Sequence, residues 1–138
     1  MSKRRLAREY ALQTLYIAEA ASMSISEATL YTNNFFTNLD EGTFPFCKDL
    51  VNGSLVNQEK IDKILSSYAT NWSVDRMSSV DRCILRIATY EIAFSADKAP
   101  IPAIIDEAIE LSKKYSTDKS GKFINGLLDR IKKERKNG

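Results

Sequence analysis

Apolar residues recur three and four positions apart along almost the whole chain, and this periodicity is the feature that most restricts its fold. Near the beginning, the residues on this spacing are Leu6, Tyr10, Ala11, Leu15 and Ala18. Such spacing places side chains on one face of an α-helix. Only 5 glycines and 3 prolines interrupt the chain, and no stretch has the two-residue alternation of a strand. The sequence therefore predicts an all-α fold.

Start and stop signals divide the first half of this pattern into helices. Ser24-x-x-Glu27 is a capping-box pattern, so a second helix is predicted from about Ile25. Residues 37–45 contain Asp, Gly and Pro and are predicted to be a loop. A third helical region follows over residues 46–69, with a weak point near Asn57.

The second half carries three further helical segments. Ser78-x-x-Asp81 is another capping-type start, for a helix from Val80 to about Ser95. Pro102 suits the first position of the next helix, and residues 116–121 are predicted to separate that helix from a last one. We therefore expect a compact bundle of about seven helices.

The length bounds the domain organisation. A chain of 138 residues is typical of one domain and is long enough to bury a core. We expect a single domain over residues 1–138, composed of two three-helix-type sub-bundles of about 1–71 and 72–138. Trp72 is expected to pack where they meet.

The composition argues against catalysis and against a metal or cofactor site. The chain has no histidine, which excludes Ser–His and Cys–His nucleophile pairs and His-containing zinc sites. Its two cysteines stand singly, and no glycine-rich phosphate loop is present. No apolar run is long enough for a membrane span, and the N-terminus lacks a signal-peptide core, so we expect a cytoplasmic protein.

Charge is divided unevenly along the chain. Residues 1–10 and 131–138 each carry +3, which leaves −4 for residues 11–130. Because a helix N-terminus favours acids, the cations at the start of the first helix have the wrong sign for helix stability. Two interpretations remain open, a solubilising tail and a surface for a polyanion. The acidic middle indicates a separate cationic partner.

Three blocks of sequence carry a family resemblance: "RRLAREYALQTLY", "VDRCILRIATYEI" and "PAIIDEAIELSKKYSTDKSGKFINGLLDRI". In order and spacing they resemble the N-utilisation substance B (NusB) family of bacterial antitermination factors. The resemblance implies an all-helical protein that binds boxA-type RNA together with the ribosomal protein NusE. It implies a function within the RNA polymerase antitermination complex, promoting read-through of ribosomal RNA operons, and a homodimer is a further possibility.

The RNA-binding residues that we expect are mostly cations at the two ends of the chain. They are Lys3, Arg4, Arg5 and Arg8 at the first helix, Arg86 in the middle, and Lys119, Lys122, Phe123 and Asn125 near the last helix. Each has an alternative. Phe123 either stacks on a base or packs in the core, and Asn125 either binds a base edge or caps locally. Arg86 either reaches RNA or pairs with Glu91 or Asp106.

Two residues correspond to family positions that face the protein partner. Tyr16 is expected to contact NusE or, alternatively, to be an ordinary core aromatic. Asp81 is expected to contact NusE or, alternatively, to cap its own helix.

Two other functions compete with RNA-binding antitermination: a helical adaptor that binds only proteins, and a DNA-binding helical domain.

Overall fold

The computed structural model describes residues 3–36, 39–69, 73–96 and 99–137, with only the backbone for Lys136 and Asn137. These residues form seven α-helices and contain no strand, which confirms the predicted all-α class. The helices are α1 (Lys3–Ala20), α2 (Ile25–Phe36), α3 (Phe44–Val56), α4 (Gln58–Tyr68), α5 (Ser79–Ala93), α6 (Ile101–Tyr115) and α7 (Asp118–Asn137). A short 3-10 helix, Val74–Arg76, precedes α5.

Helix α5 is the centre of the bundle. It packs against α1, α3 and α4 from the first half of the chain and against α6 and α7 from the second. Its residues Ile84, Leu85 and Ile87 are buried in one continuous hydrophobic core. The proposed sub-bundles of residues 1–71 and 72–138 therefore share their core through α5, and Trp72 lies outside the described residues.

The two capping patterns behave differently. At Ser24 the box is reciprocal, since Glu27 N donates to Ser24 Oγ (3.1 Å) and Ser24 N donates to Glu27 Oε1 (3.0 Å). These bonds hold the pKa of Glu27 below its usual value. At Ser78 only half of the box forms: Asp81 N donates to Ser78 Oγ at 3.2 Å, whereas the Asp81 carboxylate has partners elsewhere.

Several helix boundaries differ from those predicted. Helix α3 begins at Phe44 rather than residue 46, because Pro45 lies in the first turn, where its missing N–H costs no hydrogen bond. Helix α7 begins at Asp118, so Lys119 and Gly121 are helical rather than in a loop. The weak point at Asn57 is confirmed as the single residue between α3 and α4.

Candidate nucleic-acid interface

Two of the cations at the start of α1, Lys3 and Arg5, pair with carboxylates from other parts of the fold. Lys3 Nζ lies 3.0 Å from Asp40 Oδ2, a contact that lowers the pKa of Asp40 to about 2. The Arg5 guanidinium donates to both oxygens of Glu107 at 2.9 and 3.0 Å and lowers the pKa of that carboxyl. The unfavourable dipole is thus offset within the protein, an arrangement that neither sequence interpretation included.

Arg8 is predicted above to be one of the exposed cations that bind phosphate, but the structure shows it buried. Its guanidinium donates to Glu91 Oε2 from Nε (2.9 Å) and to Oε1 from Nη2 (2.7 Å). Arg8 is only 6% exposed and Glu91 only 4%. A bidentate pair at this depth belongs to the core, because a phosphate has no access to it. Arg4 is exposed, and its guanidinium lies 4.3 Å from the centre of the Phe46 ring.

Arg86 also has an internal role. Its Nε and Nη2 donate to the two oxygens of Asp62, each at 2.9 Å, and Nη1 lies 3.7 Å from Glu19. The sequence-based alternatives, Glu91 and Asp106, were both the wrong partner. Because Asp62 is on α4, this pair joins α4 to α5, and we remove Arg86 from the expected RNA contacts.

The beginning of α7 presents cations without internal partners. Lys119 and Lys122 are exposed, and neither side chain has a hydrogen bond or ion pair within the described part of the chain. Phe123 is half-buried and packs against the core with part of its ring. Asn125 is exposed, and a Cβ added at the neighbouring Gly126 would meet nothing within 4 Å. We call Lys119, Lys122, Phe123 and Asn125 the α7-start cluster.

The Asp81 carboxylate holds the α7-start cluster in place. Asp81 is 9% exposed, and its two carboxylate oxygens accept hydrogen bonds from Ser116 Oγ and Ser120 Oγ, each at 2.8 Å. Only the backbone half of the predicted cap forms, and the contact of Asp81 with a protein partner stays a prediction. The carboxylate instead connects the first turn of α5 to the α6–α7 corner.

An exposed apolar surface lies beside this corner. Tyr16 is 45% exposed and Ile17 is 36% exposed, so the Tyr16 ring is not a core aromatic. With Leu12, Val80 and Tyr115 they line a shallow cavity of about 290 Å³. We call this surface the Tyr16 patch. Sequence reasoning identified Tyr16 alone, because Val80 and Tyr115 join it only when α5 and α6 pack against α1.

The expected RNA residues therefore fall into two separate groups. Helices α1 and α6 run parallel, since Arg5 pairs with Glu107 and Gln13 Nε2 donates to Tyr115 Oη at 3.2 Å. The start of α7 consequently lies beside the later half of α1, about 20 Å along the axis from Lys3 at 1.5 Å per residue. Lys3 and Arg4 form one group and the α7-start cluster forms the other, next to the Tyr16 patch.

The family model described as "NusB family" matches residues 5–133 of this chain. The chain belongs to the NusB family. It is 55% identical over 138 residues to the transcription antitermination protein NusB of Elusimicrobium minutum, covering 100% of this chain and 99% of the relative. It is 41% identical to the protein of that name from Bacillus subtilis, covering 96% of each. The sequence resemblance is thereby confirmed.

Solved structures agree with this assignment. T. maritima NusB superposes with a TM-score of 0.85 at 38% identity, covering 95% of this chain and 91% of that one. NusB in a complex of the antitermination factors NusB and NusE with double-stranded RNA superposes with a TM-score of 0.84 at 28% identity, covering 97% and 98%. The helical architecture of this NusB-family chain is therefore that of its relatives.

The described residues contain neither a metal-binding cluster nor a membrane-spanning helix. Among them, no group of three or more His, Cys, Asp or Glu side chains is placed to hold a metal ion. None of their helices is both long and apolar enough to cross a membrane. Burial raises the pKa of both thiols, Cys47 and Cys83, to about 12, so neither is poised as a thiolate.

Proposed function

We propose that this protein is a cytoplasmic, non-enzymatic transcription antitermination factor that binds boxA-type single-stranded RNA together with NusE. In this role it promotes read-through of ribosomal RNA operons as part of the RNA polymerase antitermination complex. Relatives that match over the whole chain are named transcription antitermination proteins. A related structure contains NusB, NusE and RNA. The observation that carries the proposal is the position of the α7-start cluster directly beside the Tyr16 patch.

The α7-start cluster has the chemistry that single-stranded RNA requires. Lys119 and Lys122 are exposed cations without protein partners, so they are available to phosphates. Phe123, one helical turn after Lys119, offers the outer part of its ring, and stacking on aromatic rings is how proteins hold unpaired bases. Lys3 and Arg4 lie about 20 Å from the α7-start cluster. About six nucleotides, at 3.4 Å each, would span this distance.

The Tyr16 patch suits the protein partner. Aromatic and aliphatic side chains that are exposed together around a cavity are typical of the centre of a protein–protein interface. The carboxylates of the acidic middle of the chain would attract a basic ribosomal protein. Asp81 contributes by positioning, since it fixes the α6–α7 corner that separates the patch from the α7-start cluster.

A protein-binding adaptor remains the second candidate because of a different surface. Leu30 and Phe35 of α2 and Val56 at the end of α3 are all well exposed. Exposed apolar residues of this size favour contact with another protein, which includes a second copy of this chain. The adaptor function predicts RNA binding that is weak and insensitive to salt.

The RNA contact of the α7-start cluster is tested by Lys119→Gln/Lys122→Gln. If both lysines bind phosphates, the slope of log K against log salt should decrease by about 1.4, at about 0.7 per lost contact with a single strand. The melting temperature should stay near that of the wild type, because neither side chain has an internal partner. Lys113→Gln is the control, since Lys113 is exposed but already paired with Glu110 at 3.4 Å. An unchanged slope in the double variant would remove this cluster from the RNA site.

The partner contact of the Tyr16 patch is tested by Tyr16→Ala. Loss of an aromatic side chain from the centre of an interface is expected to weaken binding of the basic ribosomal protein by about 1–2 kcal/mol or more. RNA binding by the isolated protein should not change, because the ring lies outside the α7-start cluster. Leu30→Ala, which removes an exposed side chain from α2, is the control. Equal affinity of Tyr16→Ala and the wild type in calorimetry would place the interface elsewhere.

A further inference from the structure

A groove of about 460 Å³ runs between α4 and α7. Its apolar floor is formed by Ile64, Tyr68 and Ile131, and Lys63 and Arg135 stand on its two walls. Glu134 is the one acidic side chain among the described residues that line it. The groove therefore combines an aromatic and aliphatic floor with a cation on each side.

The side chains of both cations lack partners within the described part of the chain, as do those of several other cations of this protein. Neither the Lys63 ammonium nor the Arg135 guanidinium has a hydrogen bond or ion pair to any described residue. By contrast, Arg5 and Arg8 are paired with carboxylates, and so is the exposed Lys133, at 3.2 Å from Asp129. The groove therefore has, on each wall, a cation that is available to a ligand.

The stability of the two helices does not explain why cations occupy both position 63 and position 135. Cations near a helix C-terminus stabilise the macrodipole, which would explain Arg135 near the end of α7. Lys63, however, lies in the middle of α4, where that effect is absent. A ligand for the groove explains both residues at once.

Part of the groove lies on the same side of α7 as Phe123, and Arg135 lies about a third of a turn further around the helix. Positions seven and eleven residues after Phe123 return to its face of the helix, and these are Arg130 and Glu134. Glu134 lines the groove, and Arg130 Nη1 donates to the backbone oxygen of Tyr68 at 2.8 Å, joining the two walls. From Phe123 to Arg135 the axis of α7 rises about 18 Å, which about five nucleotides of a stacked strand would span.

We propose that the α4–α7 groove binds single-stranded RNA that continues beyond the segment held at the α7-start cluster. This inference rests on the proposed function, because the RNA must first be bound there. Lys63 and Arg135 contact phosphates on the two sides of the strand, and the Tyr68 ring in the floor packs against a base. An acidic protein segment would satisfy the same charges but would leave the aromatic floor without a matching flat surface, so RNA fits better.

The experiment compares two lengths of RNA and two double variants. One RNA contains only a boxA-type element, and the others extend it by ten nucleotides on the 5′ or the 3′ side. The test variant is Lys63→Gln/Arg135→Gln. The control is Lys113→Gln/Lys133→Gln, which removes the same charge from two exposed lysines that already have protein partners. Affinity is measured over a range of salt concentrations, with the melting temperature of every variant.

The wild type should bind one of the extended RNAs about 20-fold more tightly than the short RNA at 0.1 M salt, as two phosphate contacts at about 0.7 each imply. The test variant should lose this difference and keep wild-type affinity for the short RNA, and the control should keep both. Equal binding of the extended RNA by the test variant and the wild type would overturn the groove assignment alone. Absence of salt-dependent binding to any RNA would overturn the proposed function and the groove with it. Displacement of a labelled glutamate-rich peptide from the groove, with no gain from RNA extension, would assign the groove to an acidic protein instead.

Discussion

Replacing Arg8 with methionine is expected to lower the free energy of unfolding by about 3–5 kcal/mol, the usual cost of removing one member of a buried ion pair. Arg8 and Glu91 are almost completely buried, and two hydrogen bonds of 2.9 and 2.7 Å connect them. Without the guanidinium, the Glu91 carboxylate keeps its burial and loses both donors. Urea unfolding followed by circular dichroism measures the loss.

A second substitution separates this cost from the net contribution of the pair. In Arg8→Met/Glu91→Leu both charges are replaced by apolar groups, so most of the lost stability should return. Lys133→Met is the matched control, because its pair with Asp129 is exposed and should contribute about 0–1 kcal/mol. A loss below about 1 kcal/mol for Arg8→Met would mean that water reaches Glu91 and that the pair is not buried in solution.

Gly53→Ala is expected to destabilise the protein by about 1–3 kcal/mol, although alanine is the better helix former by about 1 kcal/mol. A Cβ at residue 53 would lie only 2.1 Å from Cζ of Tyr90 and 2.3 Å from its Cε1. The ring cannot move aside easily, because Tyr90 is buried and its hydroxyl donates to Asp49 Oδ1 at 2.7 Å. Burial and that hydrogen bond raise the pKa of Tyr90 to about 12, so the hydroxyl remains a donor at neutral pH.

The chain contains its own control for this prediction. Gly126 is also helical, but an added Cβ there would meet nothing within 4 Å, so Gly126→Ala should stabilise the protein by about 0.5–1 kcal/mol. In Tyr90→Leu the obstructing ring atoms are absent, and Gly53→Ala made in that background should cost much less. Thermal unfolding of the four variants gives the coupling between residues 53 and 90. If both glycines respond alike to alanine, α3 and α5 do not approach as closely as the structure shows.

Gly53 also illustrates where sequence reasoning reached its limit. The helical spacing of residues 46–56 correctly predicted the helix, but it gave no reason for a glycine at position 53. In the structure Val56 is exposed, and Gly53 is the position where the Tyr90 ring crosses the helix. Periodicity indicates which face of a helix is apolar, whereas the partner helix decides which positions on that face must be small.

For the charged residues, too, local sequence predicts some features and only the packing of the helices decides the others. Local sequence was sufficient for the helix starts at Ser24 and Ser78, since a cap bonds to the backbone three residues away. It was not sufficient for Asp81, whose carboxylate is bound by hydroxyl groups 35 and 39 residues later in the chain. Nor was it sufficient for Arg8, whose partner Glu91 is 83 residues away.

The sequence by itself determined the helical class, the approximate number of helices and the family, because these depend on periodicity and on motifs that lie within single segments. The tertiary structure decided which cations are available to a ligand. Lys119 and Lys122 remain exposed and unpaired, while Arg8 and Arg86 are neutralised by carboxylates on distant helices. The physical reason is that a charge acts on its neighbours in space, and the packing of α1, α4 and α7 around α5 and α6 sets those neighbours.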